Sequence, residues 1–490
     1  MVGEDVLYLS IRSLGERIRT RKLSPVELTE SYLERSEKLG PKFNAYVTLT
    51  RERALEHAQV AEKEIASGRY RGPLHGIPYA AKDLLAVKGY PTTWGAKPYA
   101  DQKFDFDATI IERLDKAGAI LIGKAAMIEL AGGLGYSNGF ASLSGPCRNP
   151  WNTDDWTSGS SSGSGAIMAA GLAAFALGSD TRGSIISPST LCGISGMRPS
   201  FGRIPRTGVM AIAWSMDKVG PMARTADCCG LVLSAMAGHD PRDHDSLPPS
   251  LAAFPYSARG TLSRPLRIGR IKNAAGETNV EIKAAVDEAL KVMEQNGAHI
   301  EEAEIPDGPY EEAAELVILI EAASAFWDLI QSGRCADLAD PLGQINGYAS
   351  VEFSAWDYLQ VQRVRTILQK KVDALYDRFD VLAAPGQGSV ARPLQPPGAQ
   401  QRPPGGARSG AGGAGVAARG PRPPDATKQC DGISSLCGLP AITVPCGFSK
   451  DHLPIGIQFM GRALDDDKVI AAANLFQAHS NWHTMHPPLS

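Results

Sequence analysis

Lys82, Ser184 and the serines of a Gly/Ser loop at 158–165 are the residues of this 490-residue chain whose types and spacing could do chemistry. The stretch Thr157 to Pro188, TSGSSSGSGAIMAAGLAAFALGSDTRGSIISP, opens on that loop, passes through an apolar run of helical length (Ala166 to Leu177) and closes on a turn carrying Ser184. Read as one buried rod, it holds serines on loops at its two ends, and glycine supplies the dihedrals such turns require. Lys82 sits in the otherwise apolar run GPLHGIPYAAKDLLAV. Burial disfavours a charged lysine and lowers its pKa from about 10.4 towards neutrality. A neutral lysine is a base. With one hydroxyl as relay and another as nucleophile, it makes a serine hydrolase that needs neither histidine nor metal. The plainer alternatives are a lysine that snorkels to water and a flexible Gly/Ser linker. A phosphate cradle is a third reading, but the loop lacks the GK[ST] ending of a P-loop.

Six blocks in order narrow these alternatives: GPLHGIPYAAKD, GPCRNPWN, TSGSSSGSG, GSDTRGSIISPSTLCGISGMRPSFGRIPRTG, WSMDKVGPMARTADC, and CGLPAITVPCG with PIGIQFMGR. Through them the chain resembles the amidase signature family, whose members carry a Ser-(cis)Ser-Lys triad. The resemblance implies Lys82 as base, Ser160 as the cis-serine relay following a non-proline cis peptide, and Ser184 as nucleophile. It implies an α/β fold in which a large mixed, mainly parallel sheet is covered by helices on both faces. No cofactor or metal is called for. An oxyanion hole is expected from the backbone N–H groups of Thr181, Arg182, Gly183 and Ser184, and Asp180 is expected to tie down their turn. Ala131 and Gly132, in the loop AGGLGYSN, are the substrate contacts that the resemblance suggests.

The chain departs from the family pattern D-T-G-G-S-I-R at two places, reading Asp180-Thr181-Arg182-Gly183-Ser184-Ile185-Ile186. Backbone donors survive such changes, so the departures bear on substrate choice; Arg182 reads equally well as a surface residue. Loss of the family arginine and the small-residue loop suggest a roomy, largely apolar pocket. That favours a small-molecule amide or carbamate substrate: aryl amides, anilides, urethanes or aryl esters. One alternative is the glutamine-hydrolysing subunit of a tRNA amidotransferase, against which Arg182 and Ile186 argue. The other is a catalytically silent binding protein of the same fold.

Composition bounds the rest. With 43% hydrophobic and 21% charged residues the chain can bury a sizeable core. A net charge of −3 recommends no nucleic-acid partner. The eight cysteines form no CxxC pair and read as buried thiols. No signal-peptide core or 18-residue apolar run is present, so a cytoplasmic protein without a membrane partner is expected, with a homodimer left open.

The elements that must position these residues read as one domain over 1–490. Residues 1–70 form a helical layer, with Ser24 as N-cap before Pro25. The core follows over 72–230, with a strand at 77–81 delivering Lys82 and a helix-to-strand unit over 109–122. Trp214 reads as a core residue more than as a pocket border. A strand at 266–269, a helix over 280–295, a strand near 298–305 and long helices at 309–334 and 354–380 make an entrance region over 260–385. The Gly/Pro/Ala/Arg run from 386 to about 428 reads as an exposed mobile loop or as a GC-rich gene read out of frame. Strand-like segments return at 432–448 and 453–460.

Overall fold

A computed structural model describes residues 2–256, 264–277, 279–395 and 429–489. The chain is built on an eleven-stranded sheet. In spatial order its strands are Tyr46–Leu49, Ile120–Ala125, Pro78–Lys82, Phe175–Asp180, Lys218–Ala223, Ser195–Arg198, Ala441–Phe448, Pro454–Gly461, Val381–Pro385, Arg267–Ile271 and His299–Ala303. Nearly every residue of the central strands is buried, so both alternating faces are covered, and helices pack against them. The mixed sheet is the expected one, with a smaller parallel share than helix–strand alternation implies. Four pairings are parallel, at the two wings, five antiparallel pairings join them across the middle, and a sixth adds Tyr46–Leu49 at one edge.

Local chemistry accounts for several helix starts. Ser24 caps helix Pro25–Phe43 by accepting from the Val26 and Glu27 N–H groups, with Pro25 at the first position where its missing donor costs nothing. Asn279 caps helix Val280–Gln295 in the same way. Helices Ile11–Arg19, Pro25–Phe43 and Arg51–Ala66 form the N-terminal layer, interrupted by the edge strand Tyr46–Leu49, which helical periodicity alone does not show. Among the described residues, no helix is long and apolar enough to cross a membrane, and the eight cysteines are buried free thiols.

Three expectations are corrected. The rod from Ala166 to Leu177 is two elements, a helix Ser162–Ala169 and the strand Phe175–Asp180. Gly171, at φ +66°, takes the left-handed turn that ends the helix and lets the chain enter the sheet. Gly432 belongs to helix Cys430–Leu436, not to a strand. The segment from 386 is tied down in part: Leu394 N–H bonds the Asp154 carbonyl, Ala391 is buried and Asp155 bridges Pro393, while Arg392, Pro393 and Gln395 are exposed. The remainder of the expected mobile loop, 396–428, lies outside the described residues.

Candidate active site

Strand Pro78–Lys82 is short and fully buried, running parallel between Ile120–Ala125 and Phe175–Asp180. Its last residue places the Lys82 Nζ 2.8 Å from Ser160 Oγ, 3.0 Å from Ser161 Oγ and 2.9 Å from Ser179 Oγ. Burial pulls this lysine down to about 7, with Asp180 and Asp217 opposing the shift without restoring it. A neutral amine has two N–H donors and one lone pair, so only two of three oxygens can accept from it. The Ser161 hydroxyl donates to the Ser179 carbonyl at 3.2 Å, so towards Lys82 it can only accept. If Ser179 accepts the second N–H, the lone pair faces the Ser160 hydroxyl.

Ser160 follows a cis Gly159–Ser160 peptide, the non-proline cis bond expected there. Its carbonyl accepts the Ile128 N–H at 3.2 Å, and the next residue's N–H bonds the Ser184 carbonyl at 3.3 Å. The two serine-bearing segments are therefore joined through backbone. No hydrogen bond links the Ser160 and Ser184 hydroxyls among the described residues; such bonds often tighten only when substrate is bound. Ser184 is half-buried and opens onto a cavity of about 220 Å³.

Asp180 organises the turn before Ser184, as expected. Its carboxylate accepts the Gly183 N–H at 2.7 Å and the Ile185 N–H at 2.8 Å. Burial pushes its pKa up, but Arg198, Lys218 and these N–H groups outweigh it and hold the carboxyl below its ordinary range. One of the four expected oxyanion donors is thereby corrected: the Gly183 N–H already points at Asp180. The N–H groups of Thr181, Arg182 and Ser184 make no such bond among the described residues. Thr181 is itself pinned, its hydroxyl donating to Asp217 at 2.6 Å. Gly183 has φ +95°, and a Cβ there would lie 2.4 Å from Asp431 Oδ2. Only glycine fits both the dihedral and the space.

Ala131 and Gly132 line the cavity wall, and Arg182 lies on the same wall, half-buried, beside Gly432. The expectation of a largely apolar pocket is corrected, because helix Tyr310–Ala325 brings Glu311 and Glu315 to the lining, and Asn346, Gln387 and Asp431 join them. Gln387 donates to Ser187 Oγ at 2.7 Å and to Asp431 Oδ2 at 3.0 Å. Burial, then the nearby Asp180, pushes the Asp431 carboxyl up. Trp214 is not a core residue: it is 44% exposed and borders a different cavity. Sequence reading misses Ser161 and Ser179 as partners of Lys82, although Ser161 sits in the Gly/Ser loop. It also misses Gln387 and Glu311, which no local signal marks.

The likeness to known proteins runs along the whole chain. It is 35% identical over 511 aligned residues to a glutamyl-tRNA(Gln) amidotransferase subunit from Acinetobacter baumannii, covering 98% of each. Among solved structures, a bacterial aryl acylamidase of the amidase signature enzymes aligns with a TM-score of 0.83 at 26% identity, over 98% of this chain and 99% of that one. The native peptide amidase of Stenotrophomonas maltophilia aligns with a TM-score of 0.81 at 28% identity, over 96% of both. The Amidase family model matches residues 27–470, a span that takes in all six sequence blocks, and the chain belongs to that family.

Proposed function

We propose that this chain hydrolyses the C–N bond of a small-molecule amide through an acyl-Ser184 intermediate. Neutral Lys82 takes the Ser160 proton while Ser160 takes that of Ser184, whose oxygen attacks the acyl carbon. The N–H groups of Thr181, Arg182 and Ser184 hold the resulting oxyanion, each donor contributing about 3–4 kcal/mol in comparable sites. Lys82 and Ser160 return the proton to the departing nitrogen, and water then cleaves the acyl-serine with the same groups acting in reverse. The observation that carries the reading is Lys82: a buried amine, brought to about 7, within hydrogen-bond distance of three hydroxyls.

The cavity wall supports a polar, hydrogen-bonding carboxamide over the apolar aryl amides and urethanes that the lost family arginine and the small-residue loop favour. Arg182, Glu311, Glu315 and Asp431 would leave an apolar acyl group facing charges that have lost part of their hydration. A second reading, the glutamine-hydrolysing subunit of an amidotransferase that passes ammonia to a partner, is favoured by the similarity to the Acinetobacter amidotransferase protein along almost the whole of both chains. The departures at Arg182 and Ile186 weigh less against it than expected. Ile186 is fully buried in a core cluster, and Arg182 keeps its backbone donor.

A hydrolysis panel of small primary carboxamides, glutamine, p-nitroanilides, carbamates and aryl esters tests these readings, run on the wild type beside Ser184→Ala. Turnover of primary carboxamides that disappears in the variant supports the proposal. Faster turnover of anilides or carbamates would overturn the substrate class, and turnover retained in the variant would overturn the mechanism. Ammonia release from glutamine above that from other carboxamides selects the second reading.

A further inference from the structure

The turn that walls one side of the cavity is built against backbone preference. Leu130 and Ala131 both take left-handed conformations, at φ +49° and +50°, although each carries a Cβ that disfavours them. Two such residues in succession persist only where their surroundings enforce them. The residue before them is Glu129, 3% exposed, whose Oε2 accepts the Ala339 N–H at 2.8 Å and whose Oε1 accepts the Asp340 N–H at 3.0 Å. Asp340 reaches back: its Oδ2 accepts the Ser137 N–H at 2.8 Å and the Ser137 hydroxyl at 2.6 Å. Its Oδ1 caps helix Pro341–Ser350 through the Leu342 N–H at 3.0 Å. Both ends of the segment 129–137 are thus tied to the two residues that precede the helix bearing Asn346, itself on the cavity wall. On the other flank, the Ile128 N–H holds the Ser160 carbonyl.

We propose that Glu129 is a positioning residue: by gripping the start of helix Pro341–Ser350 it holds the Leu130–Ala131 turn left-handed and so sets the width of the cavity beside Ser184. The proposal rests on Ser184 being the nucleophile. Glu129 touches no reacting atom; it acts through Ala131 and through the helix, coupling the entrance to the acyl side of the site. Glu129→Gln keeps the shape but turns an NH₂ group towards a backbone N–H, which breaks one of the two grips.

The test labels Ser184 with two fluorophosphonates, one small and one bearing a bulky aryl group, in wild type, Glu129→Gln, Asp340→Asn and Glu129→Gln/Ala131→Gly. In Glu129→Gln the ratio of bulky-probe to small-probe labelling rates should change by about tenfold or more, since a misplacement of an ångström can cost up to about a hundredfold. Asp340→Asn should move the ratio the same way. Adding Ala131→Gly should return it towards wild type, because glycine adopts the left-handed turn without a clamp. An unchanged ratio, an equal slowing of both probes, or no rescue would overturn the proposal. Hydrogen exchange of the peptide spanning 128–138 gives a readout that needs no nucleophile. Faster exchange in Glu129→Gln, slowed again by Ala131→Gly, is expected, and unchanged exchange would count as refutation. A wild type that neither probe labels would sink the assignment of Ser184, while the exchange data still decide the role of Glu129.

Discussion

Lys82 Nζ stands 2.8 Å from Ser160 Oγ, and both side chains are sealed from solvent. The contact is directional because of a third residue. Ser161 commits its proton to a backbone carbonyl and so must accept from the amine; with Ser179 accepting the second N–H, the lone pair is left for Ser160. A lysine proposed as a base must be neutral to work; burial lowers its pKa to about 7, and the hydroxyls that align it carry no charge to restore its proton.

Replacing Ser184 with alanine should abolish both turnover and fluorophosphonate labelling. The melting temperature should stay close to that of the wild type, since Ser184 is half-buried at the cavity edge and its hydroxyl makes no hydrogen bond among the described residues. Labelling that persists at another residue would reject the nucleophile.

Rate should depend on pH through the lysine. Its folded pKa is lowered to about 7, so the basic, neutral form predominates above that value and is lost as pH falls through it. The quantity kcat/KM should therefore rise with pH and level off above 7, with about a tenth of the plateau left one unit below the pKa. A profile flat from pH 6 to 9 would exclude Lys82 as the base.

Ser161→Ala should lower kcat/KM about a hundredfold by letting the amine rotate away from Ser160. The acid limb of the pH profile should move to lower pH, because an acceptor that favours the ammonium has been removed. The change also takes the acceptor from the Ser179 N–H, at a cost of about 1–3 kcal/mol in stability. A stability loss with no shift of the acid limb would reduce Ser161 to a purely structural role.

Gly183→Ala combines a left-handed backbone with a Cβ driven against Asp431. Relief requires the turn or the carboxylate to move, and either disturbs the N–H groups beside Ser184. A loss of about 100-fold in kcat, with KM changed much less, is the expected signature of donors that act in the transition state. Unchanged kcat would show that the turn has room to spare.

Much of the fold is legible in the sequence because its signals are local. Pro78–Lys82 reads as a buried strand from five residues, Ser24-Pro25 marks a helix start by its own hydrogen bonds, and Val280–Gln295 shows helical periodicity. The segment from Ala166 to Leu177 reads wrongly as one rod because alanine and glycine suit a buried helix and a buried strand alike. Its division is decided by the strands that Phe175–Asp180 pairs with, at 78–82 and 218–223.

The amino-acid sequence by itself determined which atoms could react: a lysine in apolar company and serines on glycine-rich turns, whose identities and order carry the family membership. Tertiary structure alone decided what surrounds them. Glu311 and Glu315 reach the cavity from a helix more than a hundred residues beyond Ser184, Gln387 from the end of a distant strand, and Asp431 from a helix near the C-terminus. The physical reason is range: a side chain's basicity follows from the burial its own strand imposes, whereas the polarity of a pocket is the sum of groups that meet only when distant elements pack.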